Sequence, residues 1–154
     1  MKGKDLIALD NIYLDVEASD YKEVLRIMGK ILWEKGYVKD SYTDALLKRE
    51  EISPTGLPVT SVSIAIPHTD PCHVIRPCVI IFKLKHTVKF KEMANPDQMV
   101  EAAWIFGLVF DDGNKQLPLL ASVINLAQDE EAVNGLMNAA DREGVYAVVK
   151  EYIS

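Results

Sequence analysis

The chain has 154 residues, of which 49% are hydrophobic and 26% charged, and its formal net charge is −6. That length and mixture favour one folded domain over residues 1–154, and the acidic balance argues against a nucleic-acid surface, which needs a basic patch. No apolar run approaches the ~20 residues of a membrane span. Met1–Asp5 carries charge with no following apolar core or cleavage signature, and the two cysteines, Cys72 and Cys78, are too few for a disulfide framework, so a reduced, cytoplasmic protein is expected.

Residues 1–11 are mixed and suggest an irregular start; Ile12-Tyr13-Leu14 suits a short strand. Asp20 followed by Glu23 resembles a capping box and opens a helix, with Val24, Met28, Ile31 and Leu32 on one apolar face. Lys30 and Lys35 suit the negative pole of its dipole, and Gly36 suits the position just past its end. Ser41 with Asp44 caps a second helix that buries Ala45, Leu46 and Leu47 and runs to about Glu50. Ser53-Pro54-Thr55-Gly56-Leu57-Pro58 is a break rich in turn formers.

The stretch Ser61–Pro71 follows. Ile64-Ala65-Ile66 reads as a buried strand, ended by Pro67, which lacks an N–H for the ladder and fixes its own φ. His68 is thereby delivered at a strand end, past a rigid corner, where α/β proteins place chemistry. Cys78–Leu84 is a strand apolar on both sides, as in a sheet covered on both faces. Residues 85–99 read as a polar excursion with a turn at Asn95-Pro96-Asp97, and Ala102–Phe110 as a third, strongly apolar strand. Asp111–Asn114 is a loop. A helix begins near Lys115, tolerates Pro118 in its first turn, and carries Leu117, Leu120, Ala121, Ile124 and Ala127 as its stripe. Asp129-Glu130-Glu131 starts another short helix, and residues 141–152 read as the last. Helices before, between and after buried strands imply an α/β fold: a central sheet flanked by helices on both faces.

His68 is the first chemical candidate, because neutral imidazole offers a lone pair and can take a phosphoryl group; its ordinary alternative is a strand-end histidine satisfied by a backbone carbonyl. Arg49 could present a planar fork to such a group, or simply be a cation at a helix C-terminus. Gln116 opens a helix, where free N–H groups favour an anion and its amide adds a donor; a solvated N-terminal residue is the plainer alternative. His68, Asp70, Cys72 and His73 lie close enough to raise a zinc site, but their spacing matches no standard pattern and Pro71 interrupts it. Cys72 is better read as a small buried hydrophobe than as a nucleophile, and His73 and His86 as surface residues. No phosphate loop of the G-x-x-x-x-G-K-[ST] type is present, so nucleotide hydrolysis is not expected.

Lys48-Arg49-Glu50, Pro54-Thr55-Gly56-Leu57 and Ile64-Ala65-Ile66-Pro67-His68 together resemble the signature of IIA components of the bacterial sugar phosphotransferase system, in the fructose–mannitol superfamily. The Pro-Thr-Gly-Leu turn and the stretch from Gln116 to Leu120 are most similar to the galactitol-type branch. The resemblance covers nearly the whole chain. It implies a mixed α/β sandwich and a phosphohistidine relay: His68 takes a phosphoryl group from the phosphocarrier HPr and passes it to a cysteine of the cognate IIB component, for uptake of a polyol such as galactitol through a membrane IIC. It places the family's arginine on Arg49. Mannitol and fructose members carry a second histidine where this chain has Gln116, so one titratable group is replaced by a neutral donor.

The relay requires attack through Nε2 with Nδ1–H pinned by a backbone carbonyl. The loose transition state needs positioned donors, a role suited to Arg49, Gln116 and the Thr69 hydroxyl, and an apolar rim around His68 should serve transient docking. No cofactor or metal is expected. A regulatory module, phosphorylated at His68 but controlling transcription or transport, is the alternative reading.

Overall fold

The computed structural model describes residues 6–59 and 63–153; Met1–Asp5 and the Ser61-Val62 part of the stretch before His68 lie outside the described residues. Five strands form one mixed sheet: β1 (Ile12–Val16), β2 (Gly56–Leu57), β3 (Ser63–Ala65), β4 (Cys78–Lys91) and β5 (Met99–Val109), in the order β1-β4-β5-β3-β2. β1 runs parallel to β4 and β3 parallel to β5, while β4–β5 and β2–β3 are antiparallel.

The helices α1 (Tyr21–Glu34) and α2 (Tyr42–Ile52) cover one face, and α3 (Gln116–Gln128), α4 (Glu130–Asn138) and α5 (Arg142–Val149) cover the other. The β4 alternation explains why both faces need cover. Val79 and Ile81 join the core under α3–α5, while Cys78, Ile80, Phe82 and Leu84 join the core under α1 and α2. On β5 the alternation slips, with Ala102 on the α1–α2 side and both Trp104 and Phe106 on the other. Ser63 pairs with Ala102 but Ile64 pairs with Trp104, so the slip is a β-bulge, which reassigns faces along the strand.

α1 follows its sequence signals. Asp20 accepts from the Glu23 amide at 2.8 Å, and Val24, Leu25, Met28 and Leu32 are fully buried, with Ile31 only half-buried. Gly36 adopts φ +80°, and the amides of Gly36 and Tyr37 return to the carbonyls of Trp33 and Leu32, a Schellman ending.

α2 departs from expectation at its start. Ser41 makes no capping hydrogen bond, because its Oγ lies 2.8 Å from His73 Nδ1 instead. Its buried residues are Tyr42, Leu46 and Glu50, one per turn, while Ala45 and Leu47 are half-buried.

The polar excursion read over residues 85–99 is corrected. β4 continues to Lys91 and β5 begins at Met99, because His86-Thr87-Val88-Lys89-Phe90-Lys91 alternates at the strand period, with Val88 and Phe90 buried. The turn between them stands: the Gln98 amide reaches the Asn95 carbonyl at 2.9 Å. The α3 stripe is also corrected. Leu119, Val123, Leu126 and Ala127 are buried, whereas Leu117 is 76% exposed and Ala121 is exposed. That helix is apolar around most of its circumference, so periodicity alone could not select the packed face. Asp141 caps α5, which ends at Val149.

The turn between α2 and β3 is held tightly. The Gly56 carbonyl accepts from the Met93 amide at 2.8 Å, and a Cβ at Gly56 would lie 2.6 Å from both the Lys91 carbonyl oxygen and Val100 Cγ2. Gly56→Ala is therefore expected to destabilise the fold by about 1–3 kcal/mol, the usual cost of overpacking against backbone; urea denaturation measures it, and unchanged stability would contradict the close approach.

Candidate active site

His68 sits where the parallel strands β3 and β5 end, the region where open α/β sheets place ligands. Beyond β3, the Pro67 carbonyl still accepts from the Leu108 amide at 3.1 Å, so the corner is tied to β5. His68 is buried, at 6% exposure, and its ring lies 6.0 Å between centroids from Phe110, the residue that follows β5. Its Nδ1 is 2.8 Å from the Ile66 carbonyl oxygen. A carbonyl can only accept, so Nδ1 carries the proton and Nε2 holds the lone pair. Among the described residues, the sealed side-chain polar atoms without a partner are Tyr42 Oη and Arg49 Nε; Nε2 has no partner either but is not one of these sealed atoms.

Arg49, in the last turn of α2, reaches the same corner. Its Nη1 is 3.6 Å from Asp70 Oδ1, two residues past His68. The ring feels both charges. Burial pushes the His68 imidazole below its usual range; the hydrogen bond to Ile66 pulls it back up; Arg49 lowers it and Asp70 raises it. The net direction is downward, which favours the neutral ring.

Thr69 is also buried at 6% exposure, and Gln116 is the half-buried first residue of α3, on the segment that follows Phe110. Neither side chain enters the hydrogen bonds around the ring among the described residues. Thus the structure brings His68, Arg49 and Asp70 together, places Thr69 beside His68 in the chain, and has Gln116 open α3 after the loop that follows β5.

The zinc candidates do not converge. His73 Nδ1 is engaged by Ser41, and among the described residues no group of three or more His, Cys, Asp or Glu could hold a metal ion. Cys72 is corrected: it is exposed, not buried, because it lies in the 3₁₀ turn Pro71–His73, whose backbone is fastened from outside by Lys39 Nζ on the Cys72 carbonyl at 2.8 Å. His86 is exposed and His73 partly so.

Two residues that the sequence offered only as parts of the family signature, with no role at the site, support this corner. Glu50 is buried at 4% exposure; its two carboxylate oxygens accept from the Thr55 amide at 2.8 Å and the Thr55 hydroxyl at 2.9 Å. Burial outweighs both hydrogen bonds and pushes its carboxyl up to about 7. The adjacent Arg49-Glu50 pair and a threonine five residues on were visible in the sequence, but only folding shows that they meet.

Solved structures with the same architecture include mannitol IIA components and a nitrogen regulatory IIA protein from Neisseria meningitidis. The crystal structure of IIA mannitol from Escherichia coli superposes with a TM-score of 0.76 at 25% identity, covering 93% of this chain and 98% of that one. A complex of enzyme IIA-mannitol with phosphorylated enzyme IIB-mannitol, also from E. coli, matches with a TM-score of 0.76 at 25% identity over 94% of this chain and 97% of that one. Among curated proteins, the galactitol-specific EIIA component of E. coli K12 is 28% identical over 135 residues, 88% of this chain and 86% of its own length. The mannitol-specific enzyme IIA component of Bacillus subtilis is 28% identical over 149 residues, 95% of this chain and 97% of its own. The family model for the phosphoenolpyruvate-dependent sugar phosphotransferase system, EIIA 2, matches residues 5–152, and the chain belongs to that family. It is a phosphotransferase component with a phosphocarrier role. Among the described residues no helix is long and apolar enough to cross a membrane.

Two consequences are measurable. A carboxyl whose folded value lies above its unfolded one binds more protons folded, so stability falls as pH rises from the usual carboxylate range through about 7. Glu50→Gln should flatten that slope, an effect on the order of 3 kcal/mol in urea denaturation across the window. In NMR titrations of the ring, Arg49→Ala should raise the His68 midpoint and Asp70→Asn should lower it; three equal midpoints would remove both charges from the site.

Proposed function

We propose that the protein carries a phosphoryl group on His68 Nε2, receiving it from HPr and passing it to a cysteine of a cognate IIB component, in uptake of a polyol such as galactitol. The observation that supports this most directly is the bond from Nδ1–H to the Ile66 carbonyl, which leaves Nε2 as the nucleophile beside a guanidinium. Nε2 attacks phosphorus as the bond from phosphorus to the donor breaks, and the Nδ1 proton stays where it is. In the second step a thiolate attacks the same phosphorus and the electron pair returns to Nε2. The transferring group is loose and anionic, so positioned donors carry most of the catalysis. Arg49 supplies the charge. Its pairing with Asp70 at 3.6 Å is long, so a phosphoryl group can compete for the guanidinium, and Asp70 keeps the arginine from holding the phosphorylated ring too tightly. Gln116 and the Thr69 hydroxyl are the proposed further donors, with Gln116 in the place of the second histidine of mannitol and fructose members.

Both donor and acceptor are proteins, and the segments around His68 offer apolar contact. Ile52 at the end of α2, Ile75 after the Pro71–His73 turn and Leu117 in the first turn of α3 are exposed large hydrophobics. The solved complex of a mannitol IIA with its IIB, and mannitol-specific relatives in which the A component is joined to B and C, support the IIB acceptor and the relation to IIC. Selectivity for the cargo resides in the membrane component IIC.

The test is a phosphotransfer assay with phosphoenolpyruvate, the first enzyme of the system and HPr, followed by a panel of IIB acceptors. His68→Ala should take no label. Arg49→Ala should slow labelling by roughly 10²-fold or more, the scale for losing one oriented charge donor. Labelled His68→Ala would overturn the assignment, and labelling without passage to any IIB would favour the regulatory alternative.

A further inference from the structure

We propose that Glu50 is a positioning residue for the His68 ring, acting through a relay of hydrogen bonds that crosses from α2 to the end of β3. The proposal rests on the reading of His68 as the phosphoryl carrier. Both oxygens of the Glu50 carboxylate are occupied by one residue: the Thr55 amide donates to Oε2 at 2.8 Å and the Thr55 hydroxyl to Oε1 at 2.9 Å. Thr55 is 2% exposed, so no water need share these bonds. The Thr55 carbonyl in turn accepts from the Ile66 amide at 3.2 Å. The Ile66 carbonyl then accepts from His68 Nδ1–H at 2.8 Å. Thr55 is thereby held at its amide, hydroxyl and carbonyl, and Ile66 at its amide and carbonyl, so the side chain of Glu50 anchors the run of residues that ends in the carbonyl selecting the ring's tautomer.

A structural carboxylate is an expensive choice for a buried helix end, since its charged form is costly to desolvate. What it offers is two acceptor oxygens that clamp one residue by both amide and hydroxyl. Apolar residues surround the relay: Ile64 and Ile66 are buried on one side and Val100 packs against Gly56 on the other. The charged and titratable neighbours are Arg49, adjacent in the chain, and Tyr21, Glu51 and Lys91, which with Glu50 line a narrow cleft. Among the described residues, none of these neighbours hydrogen-bonds the Thr55 amide or hydroxyl, which are held by Glu50.

The experiment reads the His68 ring by nitrogen NMR in the free protein, in parallel with the rate of labelling from phosphorylated HPr. Wild type should show the Nδ1–H tautomer. Glu50→Ala should shift part of the population to Nε2–H and slow labelling by roughly tenfold or more, since a misdirected nucleophile costs rate steeply. Glu50→Gln should restore both readouts nearly to wild type, because its carbonyl accepts from the Thr55 amide and its NH₂ donates to the Thr55 hydroxyl. Should Glu50→Ala fail to fold, Glu50→Asp, too short to reach both donors, decides the matter by the same two readouts. A folded Glu50→Ala or Glu50→Asp protein with an unchanged tautomer would overturn the proposal, even if its melting temperature falls. That failure is separable from failure of the carrier reading, which would appear as labelling of His68→Ala whatever the tautomer.

Discussion

The hydrogen bond from His68 Nδ1–H to the Ile66 carbonyl is the constraint on which the rest of the molecule turns. It joins residues two apart across a proline, so it depends on Pro67 holding the chain in a single bend. Pro67 is itself fastened, through its carbonyl, to the Leu108 amide of β5. The ring is thus referred to the sheet at two points, and the sheet is buried on both faces by two separate hydrophobic clusters. A histidine on a free loop would sample both tautomers; this one is committed to one before any partner arrives.

The electrostatics around that ring are balanced rather than extreme. Burial and Arg49 disfavour the imidazolium, while the Ile66 carbonyl and Asp70 favour it. A strongly cationic pocket would trap a phosphoryl group, and an anionic one would repel it. A guanidinium loosely paired with Asp70 gives an intermediate field, which suits the proposed transfer of a group on and off the ring.

The sequence was most legible where local chemistry is self-sufficient. The Asp20 cap and the Gly36 ending of α1 are sequence signals realised as hydrogen bonds and a positive φ. The buried run of β4 and the stop at Pro67 were equally plain. Legibility failed where several faces were chemically equivalent. α3 is apolar nearly all round, so only contact with the sheet decides that Leu119 and Val123 turn inward and Leu117 outward. Ser41 has the chemistry of a cap, but His73 competes for its hydroxyl across a long sequence separation, and the competing bond wins. Cys72 looked like a small hydrophobe, yet its turn is anchored on the surface by Lys39.

The order of residues alone was enough for the class of fold, the strand–proline–histidine corner and the residue types proposed for phosphoryl transfer, because propensity, turn chemistry and short motifs are properties of neighbours in the chain. Only the tertiary structure decided which of those residues meet. Asp70 closes on Arg49, Glu50 clamps Thr55, and Thr55 steadies the strand end that carries His68. These are contacts between elements, fixed by how β2 and β3 pair and how α2 seats on the sheet, and hydrogen-bond geometry of that kind has no signature in the order of residues.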